Sequence, residues 1–176
     1  MRSHLLVPLA LLASACGDPL FFAQIQDPQV CVQVANETIP AAPAGVAGSV
    51  TWQGQFDLGS QIPGLDQSGT TGAISMLSFQ IDSTTDMSGI SQVAVQLPSV
   101  ASGDYIDYTQ TPPVKDPNTI LMTPTQNVNL LPALTNGGIL PYSLTFTGSP
   151  PTVDWQANLT VCVSVSIEVN FLKMSH

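Results

Sequence analysis

Residues 158–171 of this chain read NLTVCVSVSIEVNF, and this stretch decides the fold. Apolar and polar side chains alternate along its fourteen residues, with Leu, Val, Ile or Phe at every second position. Because successive side chains of a β-strand point to opposite faces, the alternation predicts a strand with one face on a core and the other in water. Strands are usually shorter than about ten residues, so we expect a bend or a bulge within this one.

Further segments rich in Val, Ile, Thr and Phe precede it, separated by fifteen prolines and thirteen glycines in the whole chain. The candidate strands are Gln29–Ala35, Ser49–Leu58, Ala73–Asp82, Ser91–Leu97, Thr119–Met122, Thr125–Leu130, Leu140–Thr147 and Asn158–Phe171. Helix signals are nearly absent; Leu130–Leu134 is compatible with one helical turn, which Pro132 interrupts. The pattern predicts an all-β protein, a single antiparallel β-sandwich of immunoglobulin-like or related type. A closed β-barrel is the alternative.

The longest region without a core-like pattern is Pro98–Pro117, which we expect to be a long loop. Because loops carry binding residues more often than the elements they connect, this segment is a candidate partner-binding loop. Its candidate contact residues are Asp104, Tyr105, Asp107 and Tyr108.

The N-terminus carries a second pattern. A charged start, the apolar run Leu5–Leu12 and the small residues Ala13-Ser14-Ala15 are followed directly by Cys16. This order is typical of a secretory signal peptide, which is removed from the mature protein, and the apolar run is too short to span a bilayer. With the cysteine directly after the cut, residues 1–16 resemble the signal peptide and lipobox of bacterial lipoproteins.

The resemblance implies that Cys16 is lipidated and that its acyl chains hold the protein on a membrane. In proteobacterial lipoproteins an aspartate directly after the cysteine favours the inner membrane. Here Gly17 holds that place, which favours lipid anchoring in the outer membrane, on its periplasmic or surface face. We therefore divide the chain into a signal peptide (1–15), a lipidated cysteine with a short tether (16–27) and a β-sandwich domain (28–176). The alternative is an ordinary signal peptide and a freely secreted domain.

The charge of the mature chain excludes several partners. Lys115 and Lys173 stand against twelve carboxylates, a net charge of about −10. Nucleic-acid binding depends on Lys and Arg side chains, so no nucleic-acid partner is expected. Binding to anionic lipid through basic residues is excluded for the same reason. Charged residues make up only 9 % of the chain, so its polar surface must consist mainly of Ser, Thr, Asn and Gln.

Two cysteines remain in the domain, in the similar sequences VCVQV (Cys31) and VCVSV (Cys162). In both, the valines share one face and the cysteine lies on the other. Because thiols outside the cytoplasm persist less readily than disulfides, we predict a Cys31–Cys162 bond on the outer face, with the first and last strands side by side. Two free thiols, or a metal pair, are the alternatives.

Catalytic chemistry is poorly represented. After removal of the signal, His176 is the remaining histidine and no arginine is left, which argues against histidine triads and histidine zinc sites. Carboxylates that are neighbours in sequence, Asp82 with Asp86 and Asp104 with Asp107, could serve hydrolysis or calcium, but surface turns favour aspartate anyway. We predict a non-catalytic protein with no cofactor and no metal site.

Aromatic residues and two short motifs could also serve binding or modification. A sugar-stacking platform could form from Trp52, Trp155, Tyr105, Tyr108 and Tyr142, although strand tryptophans usually fill a core. Asn36-Glu37-Thr38 and Asn158-Leu159-Thr160 match glycosylation sequons, which we discount in a bacterial lipoprotein. The sequence thus predicts an envelope lipoprotein whose β domain is a structural or protein-interaction module with an unknown protein partner. A carrier of an apolar ligand is the alternative.

Overall fold

The computed structural model describes residues 22–43, 48–65, 69–100, 104–109, 116–134 and 137–170. These residues form eight strands and one helical turn. The elements are β1 (Phe22–Ile39), β2 (Gly48–Asp57), β3 (Thr70–Ser83), β4 (Ile90–Gln96), β5 (Asp104–Thr109), β6 (Thr119–Met122), α1 (Leu131–Leu134), β7 (Ile139–Gly148) and β8 (Trp155–Asn170).

The strands form two four-stranded antiparallel sheets, so the β-sandwich prediction is confirmed. Sheet A has the order β1-β8-β3-β6 and sheet B the order β2-β7-β4-β5. Each sheet has two edge strands, so neither is closed into the alternative barrel. Eight strands in this order, with consecutive strands β1 and β2 in different sheets, make a jelly roll of two Greek keys rather than the seven-stranded immunoglobulin arrangement.

The core lies between the inner faces of the sheets, as the alternation predicts. Val161 and Val163 of β8 are fully buried, whereas Ser166 and Glu168 on the same strand are exposed. Aromatic rings join the two sheets: the ring centroids of Phe56 in sheet B and Phe79 in sheet A lie 5.5 Å apart. Burying one such side chain contributes about 1.5–3 kcal/mol, so these contacts hold the sandwich closed.

The bulge expected in the last strand lies instead in its neighbours. Both ladders of β8 shift register because its partners carry the extra residue, β1 between Asp27 and Val30 and again between Val34 and Glu37, and β3 between Met76 and Ser78. β8 itself keeps its alternation through Asn170, and Phe171 lies outside the described residues. Strand β1 begins at Phe22, so residues 22–27, assigned above to the tether, pair with β8.

The prediction that Pro98–Pro117 is one long loop is wrong for residues 104–109. These residues form β5, an edge strand that pairs with β4. Among the β5 side chains that the structure describes, Ile106 is buried, and Asp107 and Thr109 are exposed. A strand of six residues gives too short an alternation to recognise in the sequence.

The predicted strand Thr125–Leu130 is also wrong. Within it the structure has an isolated bridge between Asn129 and Ser75. The Asn129 side chain takes the place of continuous backbone pairing to β3. It accepts a hydrogen bond from the Ile74 N–H at 3.0 Å and donates one to the Gly72 carbonyl at 2.9 Å. Asparagine side chains compete with strand pairing in this way.

The helical turn that the sequence allowed does form, as α1. Pro132 fits because it is the second residue of the turn, where its missing N–H has no helical partner to lose. Both ends of the turn, Leu131 and Leu134, are buried in the core. No helix in the described part of the chain is long and apolar enough to cross a membrane.

Candidate functional site

A polar cavity lies at one end of sheet A, where β1 leaves its regular pairing with β8. Between Val34 and Glu37 the register shifts, and Asn36 adopts a left-handed backbone conformation with φ of 58°. Asparagine tolerates this conformation better than most residues do. The Asn36 N–H, turned out of the ladder, donates to Asn158 Oδ1 at 2.9 Å.

The cavity has a volume of about 380 Å³ and is built from the ends of all four strands of sheet A. Eight of its nine lining residues carry a side chain that can form hydrogen bonds. The lining residues are Asn36, Asp82, Ser83, Thr84, Asn118, Thr119, Gln156, Ala157 and Asn158. The volume is at the small end of the range for ligand pockets, and the polar lining is unusual for one.

Hydrogen bonds fix several of these side chains. The Asp82 carboxylate accepts from Gln80 Nε2 at 2.8 and 2.9 Å and from Thr119 Oγ1 at 2.9 Å. The Ser83 hydroxyl donates to the Gln156 carbonyl at 2.6 Å, and Asn118 Nδ2 donates to the Ser83 carbonyl at 2.9 Å. The walls of the cavity are therefore held by contacts between β3, β6 and β8.

Electrostatically, the cavity suits uncharged or cationic groups rather than anions. Among the described residues that line it, Asp82 is the one charged side chain, and none is lysine, arginine or histidine. Charged anions are bound most strongly by cationic side chains, which the described lining does not supply.

Asp82 and Asp86, two of the carboxylates considered for calcium, are each engaged by neighbouring residues. Asp86 is exposed and is engaged locally: hydrogen bonds from Ser88 lower the pKa of its carboxyl group. Asp82 is held by Gln80 and Thr119, as described above. Within the residues that the structure describes, no three His, Cys, Asp or Glu side chains are grouped to hold a metal ion.

The four residues predicted as a partner-binding loop lie in β5, in sheet B, so they are separate from the strands that build the cavity. Asp107 is exposed and accepts a hydrogen bond from Gln92 Nε2 of β4 at 2.7 Å. The side chains of Asp104, Tyr105 and Tyr108 lie outside the described part of the molecule, as does all of Cys16.

The disulfide prediction is confirmed. Cys31 and Cys162 are bonded, with their Cα atoms 4.1 Å apart, and they are direct partners in the β1–β8 ladder. The bond lies on the outer face of sheet A, opposite the buried valines of β8. The first and last strands of the domain are thus joined covalently as well as by hydrogen bonds.

The aromatic residues considered as a stacking platform belong mainly to the core. Trp155 is 3 % exposed and packs edge-on against Phe146, with ring centroids 5.7 Å apart. Tyr142 is 2 % exposed and contacts Phe56 at 4.7 Å between ring centroids. Trp52, which is partly exposed, covers Tyr142 at 5.6 Å. A platform built on Trp155 and Tyr142 is therefore excluded.

The Tyr142 hydroxyl is the one buried side-chain polar atom without a hydrogen-bond partner among the residues that the structure describes. Burial raises the pKa of Tyr142 well above its usual range, and the nearby Glu37 carboxylate raises it further. The hydroxyl packs against Gly54, where an added Cβ would lie 2.5 Å from it. Glycine at this position makes room for the tyrosine ring.

Sequence reasoning missed the cavity as a site. Asn36 and Asn158 did attract attention as the first residues of two glycosylation sequons, and the structure brings these two asparagines together. The cavity also depends on residues near 82 and near 118, which only the β3–β6 pairing unites. The sequence around one polar residue on the outer face of a strand does not show which distant polar residues will lie beside it.

No protein-family model matches the chain. No curated protein matches it. Among solved structures, the chain resembles the cyanophage Pam1 capsid asymmetric unit at 12 % identity and a TM-score of 0.36, covering 87 % of this chain and 92 % of that one. It resembles a nora virus structure at 11 % identity and a TM-score of 0.41, covering 89 % and 63 %. It resembles the family 32 CBM from C. perfringens NanJ, determined in complex with galactose, at 11 % identity and a TM-score of 0.30, covering 80 % and 99 %. Likeness at this level carries no conclusion about function.

Proposed function

We propose that the protein is a lipid-anchored envelope protein of the outer membrane whose jelly-roll domain is a non-catalytic interaction module. The observation that carries the proposal is the lipobox-like Cys16, which precedes the first residue of β1, Phe22, by only six positions. Five intervening residues reach at most about 20 Å when extended. An acyl group on Cys16 would therefore hold the folded domain close to the bilayer.

The direction of β1 supports an interaction role for the opposite end. Phe22 pairs with Asn170 at one end of sheet A, whereas Glu37 pairs with Ala157 at the other, beside the cavity. Asn36 lies fourteen positions after Phe22 along the strand, a rise of roughly 40 Å. Anchoring through Cys16 would direct the cavity away from the membrane, where a partner can reach it.

The composition of the cavity supports a binding rather than a catalytic role. Glycoside hydrolysis takes a pair of carboxyl groups, and Asp82 is the one carboxylate among the described lining residues. Three hydrogen bonds, two from Gln80 Nε2 and one from Thr119 Oγ1, hold the Asp82 carboxylate as an acceptor.

The alternative function, a carrier of an apolar ligand, has no comparable support. A second surface cavity lies at the other irregularity of β1, and Pro28 and Val165 are its apolar lining residues beside Gln26, Asp27, Ser164 and Ser166. The first cavity is lined mostly by polar residues, and the second is a shallow depression that is open to solvent, so neither is the enclosed apolar cavity that a lipid carrier needs. The interaction module is therefore the better proposal, and its partner surfaces include the predicted contact at Asp104–Tyr108, now on an edge strand that could pair with a partner's backbone.

Mass spectrometry of the protein extracted from its own membrane in mild detergent tests the anchor. We expect an N-terminus at Cys16 that carries the mass of acyl chains, and loss of membrane partition in the Cys16→Ser variant. The matched control is the double variant Cys31→Ala/Cys162→Ala, which should remain in the membrane fraction. An unmodified N-terminus at Cys16 in envelope-derived protein would overturn the anchored form of the proposal.

A further inference from the structure

We propose that the cavity at the end of sheet A binds a neutral, hydroxyl-rich ligand, namely the sugar units of a glycan. The inference deepens the proposed function and rests on it for the setting, an interaction module displayed on a membrane. It rests on the cavity itself for the chemistry.

The lining groups match the hydrogen-bonding needs of a sugar. Each sugar hydroxyl both donates and accepts, and neighbouring hydroxyls lie on adjacent carbons. Side-chain amides offer a donor and an acceptor in one plane, and a carboxylate offers two acceptors. The cavity combines four amides (Asn36, Asn118, Gln156 and Asn158) with one carboxylate and three hydroxyl side chains.

These groups are held in place before any ligand arrives. Asn118 Nδ2 is fixed by the Ser83 carbonyl, and the Asn158 carbonyl oxygen by the Asn36 N–H, at 2.9 Å each. The Asp82 carboxylate is oriented from two sides, by Gln80 and Thr119. Because such side chains need not be ordered on binding, less conformational entropy is lost when a ligand binds.

Charge selects among sugars. The cavity contains a carboxylate and no basic side chain among its described lining residues, and the mature chain carries about ten net negative charges. An acidic sugar would be repelled without a compensating cation. The structure therefore favours neutral over acidic sugars.

Affinity at one site is expected to be weak. No aromatic side chain lines the described part of the cavity, so the stacking contribution that aromatic rings can supply is missing. For one sugar unit we expect a dissociation constant of about 1 mM, the weak end of specific binding. Many copies on one membrane would bind a repeating glycan far more tightly, because later contacts form at high effective concentration.

The test is saturation-transfer NMR on full-length protein in mild detergent, with glucose, galactose, mannose and N-acetylglucosamine as separate probes. Galacturonate is the matched charged counterpart of galactose, and calcium chloride and a short lysine peptide test the cationic alternatives. We expect transfer from at least one neutral sugar, weaker transfer from galacturonate, and at least tenfold weaker binding by Asp82→Asn.

Two variants control for folding. Asp57→Asn removes a carboxylate charge from sheet B, where Asp57 accepts from the Ser60 N–H at 3.0 Å, and should leave sugar affinity within about twofold of wild type. Asn36→Gly keeps a residue that adopts the left-handed conformation but removes the lining amide, so it should fold and bind more weakly. Thermal melting confirms that each variant is folded.

Three results would overturn the proposal: no transfer from any neutral sugar, equal sugar binding by folded Asp82→Asn, or displacement of the sugars by calcium or the lysine peptide. The same titration on Cys16→Ser protein separates this inference from the anchor. If Cys16→Ser binds sugar and the wild-type protein carries no lipid, the lipid-anchor proposal fails and the sugar-site proposal stands. If the wild-type protein carries lipid and neither protein binds sugar, the lipid-anchor proposal stands and the sugar-site proposal fails.

Discussion

Two ladders that join an edge strand to an inner strand differ: β1–β8 in sheet A and β2–β7 in sheet B. The β1–β8 ladder of sheet A shifts register twice, whereas the β2–β7 ladder of sheet B runs through ten consecutive pairs without a shift. On the outer face, the first is crossed by the Cys31–Cys162 disulfide and the second by a contact between the Thr51 and Thr145 hydroxyls at 3.1 Å. The cavity lies beside the irregular ladder.

An extra residue in β1 turns the backbone of Asn36 out of the ladder beside the cavity, and regular pairing is lost there. The covalent bond lies in the same ladder. The β2–β7 ladder has an unbroken register, and the aromatic rings of Trp52, Phe56 and Tyr142 pack together on it. Four changes, from the largest expected effect to the smallest, test this difference.

Replacing both cysteines, Cys31→Ala/Cys162→Ala, should have the largest effect. The bond closes a loop with a sequence separation of 131 residues, for which the loop-entropy model gives about 4–5 kcal/mol. We expect urea unfolding to show that loss and the melting temperature to fall by about 10–20 °C. Reduced wild-type protein should behave like the variant. A loss below about 1 kcal/mol would mean that hydrogen bonds alone hold the β1–β8 ladder.

Gly54→Ala should have the next largest effect, because it crowds the regular ladder from inside. The new Cβ would lie 2.5 Å from the Tyr142 hydroxyl oxygen and 2.7 Å from Trp52 Cη2, and Tyr142 is deeply buried. Overpacking of this kind destabilises by about 1–3 kcal/mol. Urea unfolding of Gly54→Ala, Tyr142→Phe and the double variant would measure it, and we expect the double variant to recover part of the loss. If the free-energy changes of the two single variants simply add up in the double variant, the Cβ added at position 54 does not contact the Tyr142 hydroxyl.

Tyr142→Phe should stabilise the protein. The buried hydroxyl has no partner in the described residues, and leaving such a group unsatisfied costs about 1–3 kcal/mol, so its removal should raise the unfolding free energy by about 1 kcal/mol. The gain should be visible by urea unfolding at pH 7. A loss of stability would reveal a partner for the hydroxyl.

The same variant should change the response to alkali. Because burial raises the pKa of Tyr142 in the folded protein, its neutral form is favoured there. The stability that the neutral Tyr142 side chain contributes is fully present below its pKa in the unfolded chain, about 10. It is lost as the pH rises through the higher pKa of Tyr142 in the folded protein. Wild-type stability should therefore fall above about pH 10 more steeply than that of Tyr142→Phe. Parallel profiles would show that Tyr142 titrates normally.

Much of the sandwich could be predicted from sequence because its physics is local. In β8 the alternation alone assigns Val161 and Val163 to the core and Cys162 to the outer face. The same phase around Cys31 predicts the cross-strand bond. These inferences succeed because inward residues must be apolar at every second position, whatever the partner strand is.

The strand β5 and the cavity could not be predicted in this way. β5 lies at an edge, so few of its residues need to be apolar. The cavity depends on a left-handed Asn36 and on a hydrogen bond from it to Asn158, 122 residues away. Neither the backbone conformation nor so distant a contact leaves a periodic trace in the sequence.

The smallest change tests the regular ladder at its outer face. Thr51 and Thr145 are direct partners, and cross-strand hydroxyl pairs contribute about 0.2–1 kcal/mol. Because valine has nearly the same shape and suits strands, Thr51→Val/Thr145→Val should change the unfolding free energy by less than about 1 kcal/mol. Urea unfolding beside the cysteine variant gives the contrast directly. If the threonine double variant loses as much unfolding free energy as the cysteine double variant, the β1–β8 and β2–β7 ladders contribute equally to stability. The disulfide would then have no special role in the ladder beside the cavity.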